Sequence, residues 1–530
     1  MKTLTRQQVL EKQNKDLRIR LENLQVKLEI ASSSHEDGRK EDNEKIRSKD
    51  KVIAMLQAGL CSLTEENECL RQQNEALRNA LEKSEDRAAK LEAMLKKDSS
   101  NSSKPPSSDS MFNKAKAESG KAKSGKKVGG QPGHKGCRLL PSPNPDIIVD
   151  KMPPATCPCC SGDVNIGDGY EPRQIVDIKV IVTTTEERVY EGHCAKCGME
   201  LSGEFSEGFN SPVGYGPNVK STVAMLNADA NVPVHKTAVF VSSLTEGRVN
   251  MSDGTVVNVT AELAKKFATT VQHIIIALAA CGVLNVDETG VRVNGKLSWM
   301  QIISNENFSL YGRSIKRGTL NDAMNNLIML FTGVLVHDHL KSYYAFEHLT
   351  HAECNVHILR YLKAVTEIMK HPWAKELADL LLDANKRKKE LIDAGLASMG
   401  EDESDGIIAK YTEILDRGQK EYDSAIEGKK NITYYDEERR LLSRLRKYLI
   451  EHLRFLTDFE VPFSNNGAEH GAKHVKGKQK ASGGFRSDSG VDNYAVIASV
   501  IATLRKQRKH IFTAIKNAFM GQSPSFADTG

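Results

Sequence analysis

The sequence predicts a multidomain protein: an N-terminal α-helical coiled coil, a small β-rich module built on paired cysteines, a helical subdomain, and an α/β core with a helical insertion. Three observations carry this reading: a leucine heptad in the first hundred residues, two close cysteine pairs in the second hundred, and strand-length apolar runs that end in acidic residues. With 530 residues and 39% hydrophobic content the chain is long enough for two or more cores. Its most apolar run, "HIIIALAACGVLNV" at 273–286, is too short to span a membrane and reads as a buried helix followed by a strand. The polar, charged N-terminus carries no secretory signal, so the expected location is the cytoplasm. Five of the ten cysteines cluster between 157 and 197, unlike the even framework of a small disulfide-built domain. The net charge of +5 is small, but residues 113–138 hold eight Lys or Arg against one Glu, and residues 469–510 hold nine against three acids. Both stretches suit a polyanionic partner.

Residues 1–97 form the coiled-coil arm. Positions Leu56, Leu60, Leu63, Asn67, Leu70, Asn74, Leu77, Leu81, Ser84, Ala88, Leu91 and Leu95 alternate by four and three, with Asn67 and Asn74 at a. A buried Asn at a lowers stability but fixes register and favours parallel two-stranded pairing. An earlier seam, Leu17, Leu21, Leu24 and Leu28, is set apart by the polar stretch 32–43. The arm is read as two segments that join chains into a homodimer or higher oligomer. A single amphipathic helix packed on its own core is the plainer alternative. Ser, Asn and Pro then exclude helix, and residues 98–145 read as a flexible basic linker, a phosphate contact or a solvated tether.

Residues 146–212 carry "CPCC" and "CAKC". Four thiolates from two tight turns meet the tetrahedral demand of a structural Zn²⁺, and a closed four-sulfur site leaves no position for catalysis. Cys157, Cys160, Cys194 and Cys197 are the preferred set, with Cys159 as a competitor. Buried free thiols are the plain alternative. The spacer is long, so strands in "RQIVDIKVIVTTTEERVY" are expected to form a hairpin that brings the knuckles together into a zinc-ribbon-like module. Residues 213–280 are helical, with Ser252 as an N-cap; a helix-turn-helix-like unit and a plain helical subdomain packed on the core both fit.

The core occupies 281–360 and 461–530, with a charged helical insertion at 361–460. "GVLNVDET" reads as a buried strand ending in Asp287; two more strands, a helix, and the strand "GVLVHDHL" ending near Asp338 follow. If the fourth strand lies parallel beside the first, the two Asp residues meet, and two ionised carboxylates so placed need a divalent cation between them. Either Asp alone is more simply a turn former. In "NNGAEHGAKHVKGK" a helix starting near Asn465 puts Glu469, Lys473 and Lys476 on one stripe, beside Ala468, Ala472 and Val475. In isolation that stripe is an ordinary solvated face. Lys473, Lys476 and Arg486 are candidate phosphate contacts, Lys476 the best placed by spacing. Cys354 and His357 have ligand spacing, but two ligands without a partner pair read as buried packing.

Several motifs together resemble the transposases of the insertion-sequence-sixty-six family: "SSNSSKPPSSD", "GGQPGHKG", the paired knuckles, "DETGVRV", "CNVHILRYL", "VPFSNNGAEH", "VKGKQKASGGFRS" and "IATLRKQ". The resemblance spans nearly the whole chain. It implies an RNase H-like core in which Asp287, Asp338 and Glu469 form a DDE triad holding Mg²⁺ (or Mn²⁺), acting on the element's terminal inverted repeats and on target DNA, with accessory proteins of the element as further partners. Two positions depart from the family pattern: Ser464 stands where the family has Asp, and His470 where it has Arg. His470 keeps hydrogen-bonding capacity but lacks the permanent charge of Arg. A non-catalytic regulator would use the same zipper and zinc module without the triad. A structure-specific nuclease would use the triad but cut without joining.

Overall fold

The computed structural model describes residues 6–36, 43–97, 101, 139–206, 208–429 and 433–526. Most of the basic linker expected at 98–145 lies outside them. Helices α1 (Arg6–Glu36) and α2 (Asn43–Leu95) are followed by the short strands β1 (Glu191–His193) and β2 (Glu200–Ser202). Next come helices α3 (Pro217–Ala224), α4 (Val234–Leu244) and α5 (Asp253–Ala279), strands β3 (Val283–Val293), β4 (Lys296–Ser304) and β5 (Ser309–Ser314), and helix α6 (Asp322–Leu330). Strands β6 (Val334–His337) and β7 (Thr350–Glu353) precede α7 (Asn355–Ala364), α8 (Pro372–Asp393), α9 (Glu401–Ile426), α10 (Asp436–Lys447) and α11 (Leu449–Thr457). Helices α12 (Asn466–Ser482), α13 (Asp488–Lys506) and α14 (Ile511–Phe519) complete the chain. No helix among the described residues is long and apolar enough to cross a membrane.

The chain divides into two compact units. One comprises Met1–Asn113, Arg360–Leu380 and Ala409–Lys447. Within it α1 packs along α2. Leu17 is buried and Leu21, Leu24 and Leu28 half-buried, and on α2 Asn67 is buried and Leu56, Leu60, Leu63, Leu70 and Asn74 half-buried. Both heptad seams therefore meet inside a single chain as a helical hairpin. Past Asn74 the covered stripe shifts to Asn79, Glu82, Asp86 and Ala89. Leu77, Leu81, Leu91 and Leu95 stay 41%, 49%, 53% and 77% exposed. In the same unit the buried Glu438 carboxylate accepts from Trp373 Nε1 (2.8 Å) and bonds His371 Nδ1 (2.7 Å).

The other unit holds a five-stranded mixed sheet in the order β5-β4-β3-β6-β7. β3, β4 and β5 form an antiparallel meander, and β6 and β7 add in parallel, with Val283, Leu284 and Asn285 opposite Val334, Leu335 and Val336. Strand alternation sends Leu284, Val286, Ile303 and Leu310 to one core, shared with Leu263, Phe267, Ile274 and Leu278 of α5. Residues 213–280 therefore pack into this core through α5, whose N-cap is Ser252, its Oγ accepting from the Thr255 N–H at 3.1 Å. Val291, Met300, Ile302 and Tyr311 form a second core with Ala468 and Val475 of α12. Helix α13 contributes to both cores. It also lies along the outer edge of β5, where Ser499 Oγ and Thr503 Oγ1 accept the Tyr311 and Ser309 N–H groups. Those hydroxyls satisfy an edge that would otherwise invite pairing.

Residues 139–206 depart from expectation. The predicted strands at 173–190 do not form, and β structure is limited to the β1–β2 pair around the second knuckle and a single Thr156–Asp163 bridge around the first. Ile175 and Ile178 are 96% and 87% exposed. Alternating Ile and Val make one apolar face, and a two-stranded hairpin with no layer over it is marginal.

Candidate metal centre

Asp287 and Asp338 each lie two residues beyond the last registered pair, Asn285 opposite Val336, so the two parallel strands deliver them side by side. Asp287 Oδ1 accepts the Glu288 N–H at 2.8 Å. Burial first, and then the charges of Asp338 and Glu469, push the Asp287 carboxyl up to about 8. All three predicted acids thus share one electrostatic environment, although Glu469 is distant in sequence. Glu288, the other acid of the motif, turns to structure: Arg317 Nε donates to it at 2.7 Å and the Gly318 N–H at 2.9 Å.

Glu469 sits in the first turn of α12, where the helix dipole favours a carboxylate. Asn465 at the N-cap does not cap with its side chain. Instead its Oδ1 accepts from Asn285 Nδ2 (2.9 Å) and its Nδ2 donates to the Val286 carbonyl (2.7 Å). This buried clamp fastens the start of α12 to β3, two residues from Asp287. Gly471 lets the helix approach further: a Cβ there would lie 2.7 Å from Tyr311 Oη and 3.0 Å from Ile302 Cγ2.

Behind Asp338, His339 adopts φ of 76°, a left-handed conformation that costs about 1–3 kcal/mol in a non-glycine residue. Its Nδ1 bonds the buried Glu353 carboxylate, which also accepts from Tyr344 Oη (2.6 Å) and bonds His452 Nε2 (3.0 Å). His337 Nε2 meets His351 Nδ1 at 3.2 Å in the same cluster. Tyr343, also buried, is held far above the usual phenol range by burial and then by the charges of Glu288, Asp338 and Asp287. Sequence reading missed this cluster; the density of His in "HDH" and "HAEC" was the signal.

Cys354 and His357 do find a third partner. With Glu469 they form the one group of three metal-ligating side chains among the described residues, their donor atoms all within 4.8 Å. His357 Nδ1 lies 3.9 Å from Glu469 Oε1. Burial pushes the Cys354 thiol up to about 11. Lys473 and Arg486 are exposed. Lys476 is half-buried and donates to the Gly290 carbonyl, so its ammonium is partly engaged on β3.

Both cysteine knuckles form as matched turns. The Ser161 N–H donates to the Cys157 carbonyl and the Gly198 N–H to the Cys194 carbonyl, with Ser161 and Gly198 left-handed. The N–H of Cys159, then that of Cys160 and its thiol, hold Cys157 below the usual thiol range. The N–H groups of Cys197 and Lys196 and the Cys197 thiol do the same for Cys194. Cys157, Cys160, Cys194 and Cys197 are not brought into one group in the structure, in keeping with the missing hairpin between them.

Residues 213–493, more than half of the chain, match a family model for transposases, which sets the class. The chain belongs to the IS66 family of transposases. Residues 61–139 match a family of unknown function (DUF6444). No curated protein matches the chain.

Proposed function

We infer that the protein is a DDE transposase that binds the ends of its element and cuts and joins DNA strands by in-line phosphoryl transfer. The single observation that carries this is Asp287, whose carboxyl is pushed up to about 8 by burial and by the charges of Asp338 and Glu469. Asp287 within β3, Asp338 just past β6 and Glu469 at the start of α12 do not close to within 4.8 Å as one ligand set, but the charges of the other two act on Asp287, which fits a divalent cation drawn among them, and their all-oxygen donors suit Mg²⁺ or Mn²⁺. The strand order, with three antiparallel strands extended by two parallel ones, supports an RNase H-like core. Bound there, a pair of Mg²⁺ ions would supply Lewis acidity to the attacking and leaving oxygens.

The chain's own groups hold and aim. Asp287 presents its oxygens from within β3 and Asp338 from the residue after β6, and Asn465 sets the distance of Glu469 from β3. Water attacks phosphorus first, a P–O bond forms as the strand's P–O bond breaks, and a 3′-hydroxyl is freed at the element's end. That hydroxyl then attacks a target phosphate in the same way, and no covalent protein intermediate is needed. Lys473, exposed one turn after Glu469 on α12, and Arg486, exposed beyond the far end of that helix, serve the phosphates. The knuckle cysteines are proposed to hold a structural Zn²⁺, a reading supported by N–H groups that favour thiolates. The exposed Leu77, Leu81, Leu91 and Leu95 support pairing of α2 with a second chain.

The test incubates purified protein and Mg²⁺ with DNA carrying the element's terminal repeats and follows cleavage and joining. Asp287→Asn, Asp338→Asn and Glu469→Gln are each expected to abolish both. Activity that survives these changes would sink the triad. Cleavage without joining would favour a nuclease.

A further inference from the structure

The geometry points to a second metal site for a transition-metal ion such as Zn²⁺, formed by Cys354 Sγ, His357 Nδ1 and Glu469 Oε1 and sharing Glu469 with the hard-metal centre. One donor atom from each of the three side chains lies within 4.8 Å of the other two, His357 Nδ1 stands 3.9 Å from Glu469 Oε1, and that carboxylate oxygen is buried with no hydrogen bond. Cys354 and His357 are locked in one turn: the His357 N–H donates to the Cys354 carbonyl at 3.2 Å, and the Asn355 N–H donates to the Phe463 carbonyl at 3.1 Å. The Asn465 N–H donates to Cys354 Sγ at 3.2 Å, a bond that favours sulfur carrying negative charge. Cys354 is fully buried, while the His357 and Glu469 side chains are 14% and 13% exposed, which leaves an entry path on their side.

Thiolate, imidazole and carboxylate are the donors of zinc, and three protein ligands leave a fourth position open. Mg²⁺ demands oxygen and gains nothing from sulfur or imidazole. Glu469 therefore faces two donor sets, the hard oxygens of Asp287 and Asp338 and the soft pair Cys354 and His357. An ion drawn to the soft pair engages the oxygen that the catalytic centre needs, so zinc occupancy acts as a brake on phosphoryl transfer. The brake rests on the proposed triad; the site itself does not.

The test counts zinc bound per full-length chain by equilibrium dialysis and elemental mass spectrometry. Wild type is compared with Cys354→Ser, His357→Gln and a knuckle variant, Cys157→Ser. Cys354→Ser and His357→Gln are each expected to bind one zinc ion fewer than wild type. Equal counts, or a loss confined to the knuckle variant, overturn the site. Cobalt-loaded wild type is expected to show a thiolate-to-metal absorption band that weakens in both variants. Because Cys354 lies in the core, the partly exposed His357→Gln, with its melting temperature checked, decides if the serine variant fails to fold. In the Mg²⁺ cleavage assay zinc should inhibit wild type at a concentration at least about tenfold below that needed for His357→Gln. Cleavage surviving Asp287→Asn would sink the triad, yet the zinc count would still decide the site.

Discussion

At Asp287, burial and two neighbouring acids push the carboxyl up to about 8 in the folded chain, against about 3.9 when unfolded. The folded state therefore holds a proton that the unfolded state has released. Stability from this group is fully present below about pH 4 and is lost as pH rises through about 8. Metal-free protein is expected to melt at lower temperature near pH 8 than near pH 5. Added Mg²⁺ should restore the difference near pH 8 and do little near pH 5, and Asp287→Asn should flatten both responses. Equal gains from Mg²⁺ at the two pH values would count against a cation at this carboxylate. Gly471 makes a different kind of claim. A methyl there meets Tyr311 and Ile302, so Gly471→Ala must push α12 off the sheet, at about 1–3 kcal/mol of stability. The same shift moves Glu469, and misplacement by about 1 Å can lower a rate about a hundredfold. Cleavage should fall far more than the melting temperature does; near-normal cleavage would show that the close approach has no bearing on the site.

Among the elements, β3, β4, β5, α6, β6 and the Ser252 cap were legible, because period-two alternation and cap chemistry are local signals, but β3, expected to end in Asp287, runs on to Val293 and leaves Asp287 in mid-strand opposite Ile302. What escaped was long-range. The Asn465 clamp joins residues 180 apart in sequence, and His452 reaches Glu353 across 99. No local pattern announces such partners. The strands expected at 173–190 failed for the opposite reason, since the alternation is present but no layer covers it among the described residues. Helix α2 is an intermediate case. Its heptad is continuous in sequence, yet the half up to Asn74 packs with α1 of the same chain, and among its leucines Leu77, Leu81, Leu91 and Leu95 stay exposed, where the proposed pairing with a second chain would use them. Leu77→Lys with Leu81→Lys is therefore expected to lower the oligomeric state in sedimentation without unfolding α2. Leu63→Lys should instead loosen the α1–α2 hairpin and reduce helicity. Identical behaviour of the two variants would mean the heptad acts as one seam.

For the molecule as a whole, the formal charge of the C-terminal stretch overstates what DNA meets. Lys478 is buried and donates to the Asn227 carbonyl, Lys506 donates to the Asn305 and Phe308 carbonyls, and Arg505 pairs with Asp229. Burial pulls both lysines down to about 8, a sign that they serve the fold. Lys473, Lys480 and Arg486 are exposed. Removing one cation that neutralises a phosphate should reduce the salt slope of DNA binding by about one, roughly independent of sequence. Lys473→Ala and Arg486→Ala are thus expected to flatten that slope by about one each while leaving the melting temperature within about 1–2 °C of wild type. Lys478→Ala is expected to do the reverse, lowering the melting temperature because the Asn227 carbonyl is left without its donor, with the salt slope unchanged. Binding isotherms at several salt concentrations, set beside thermal melts of the same three variants, separate the two roles. A Lys478→Ala slope shift as large as that of Lys473→Ala would mean that DNA reaches the buried lysine, and that α12 moves when the ends are bound.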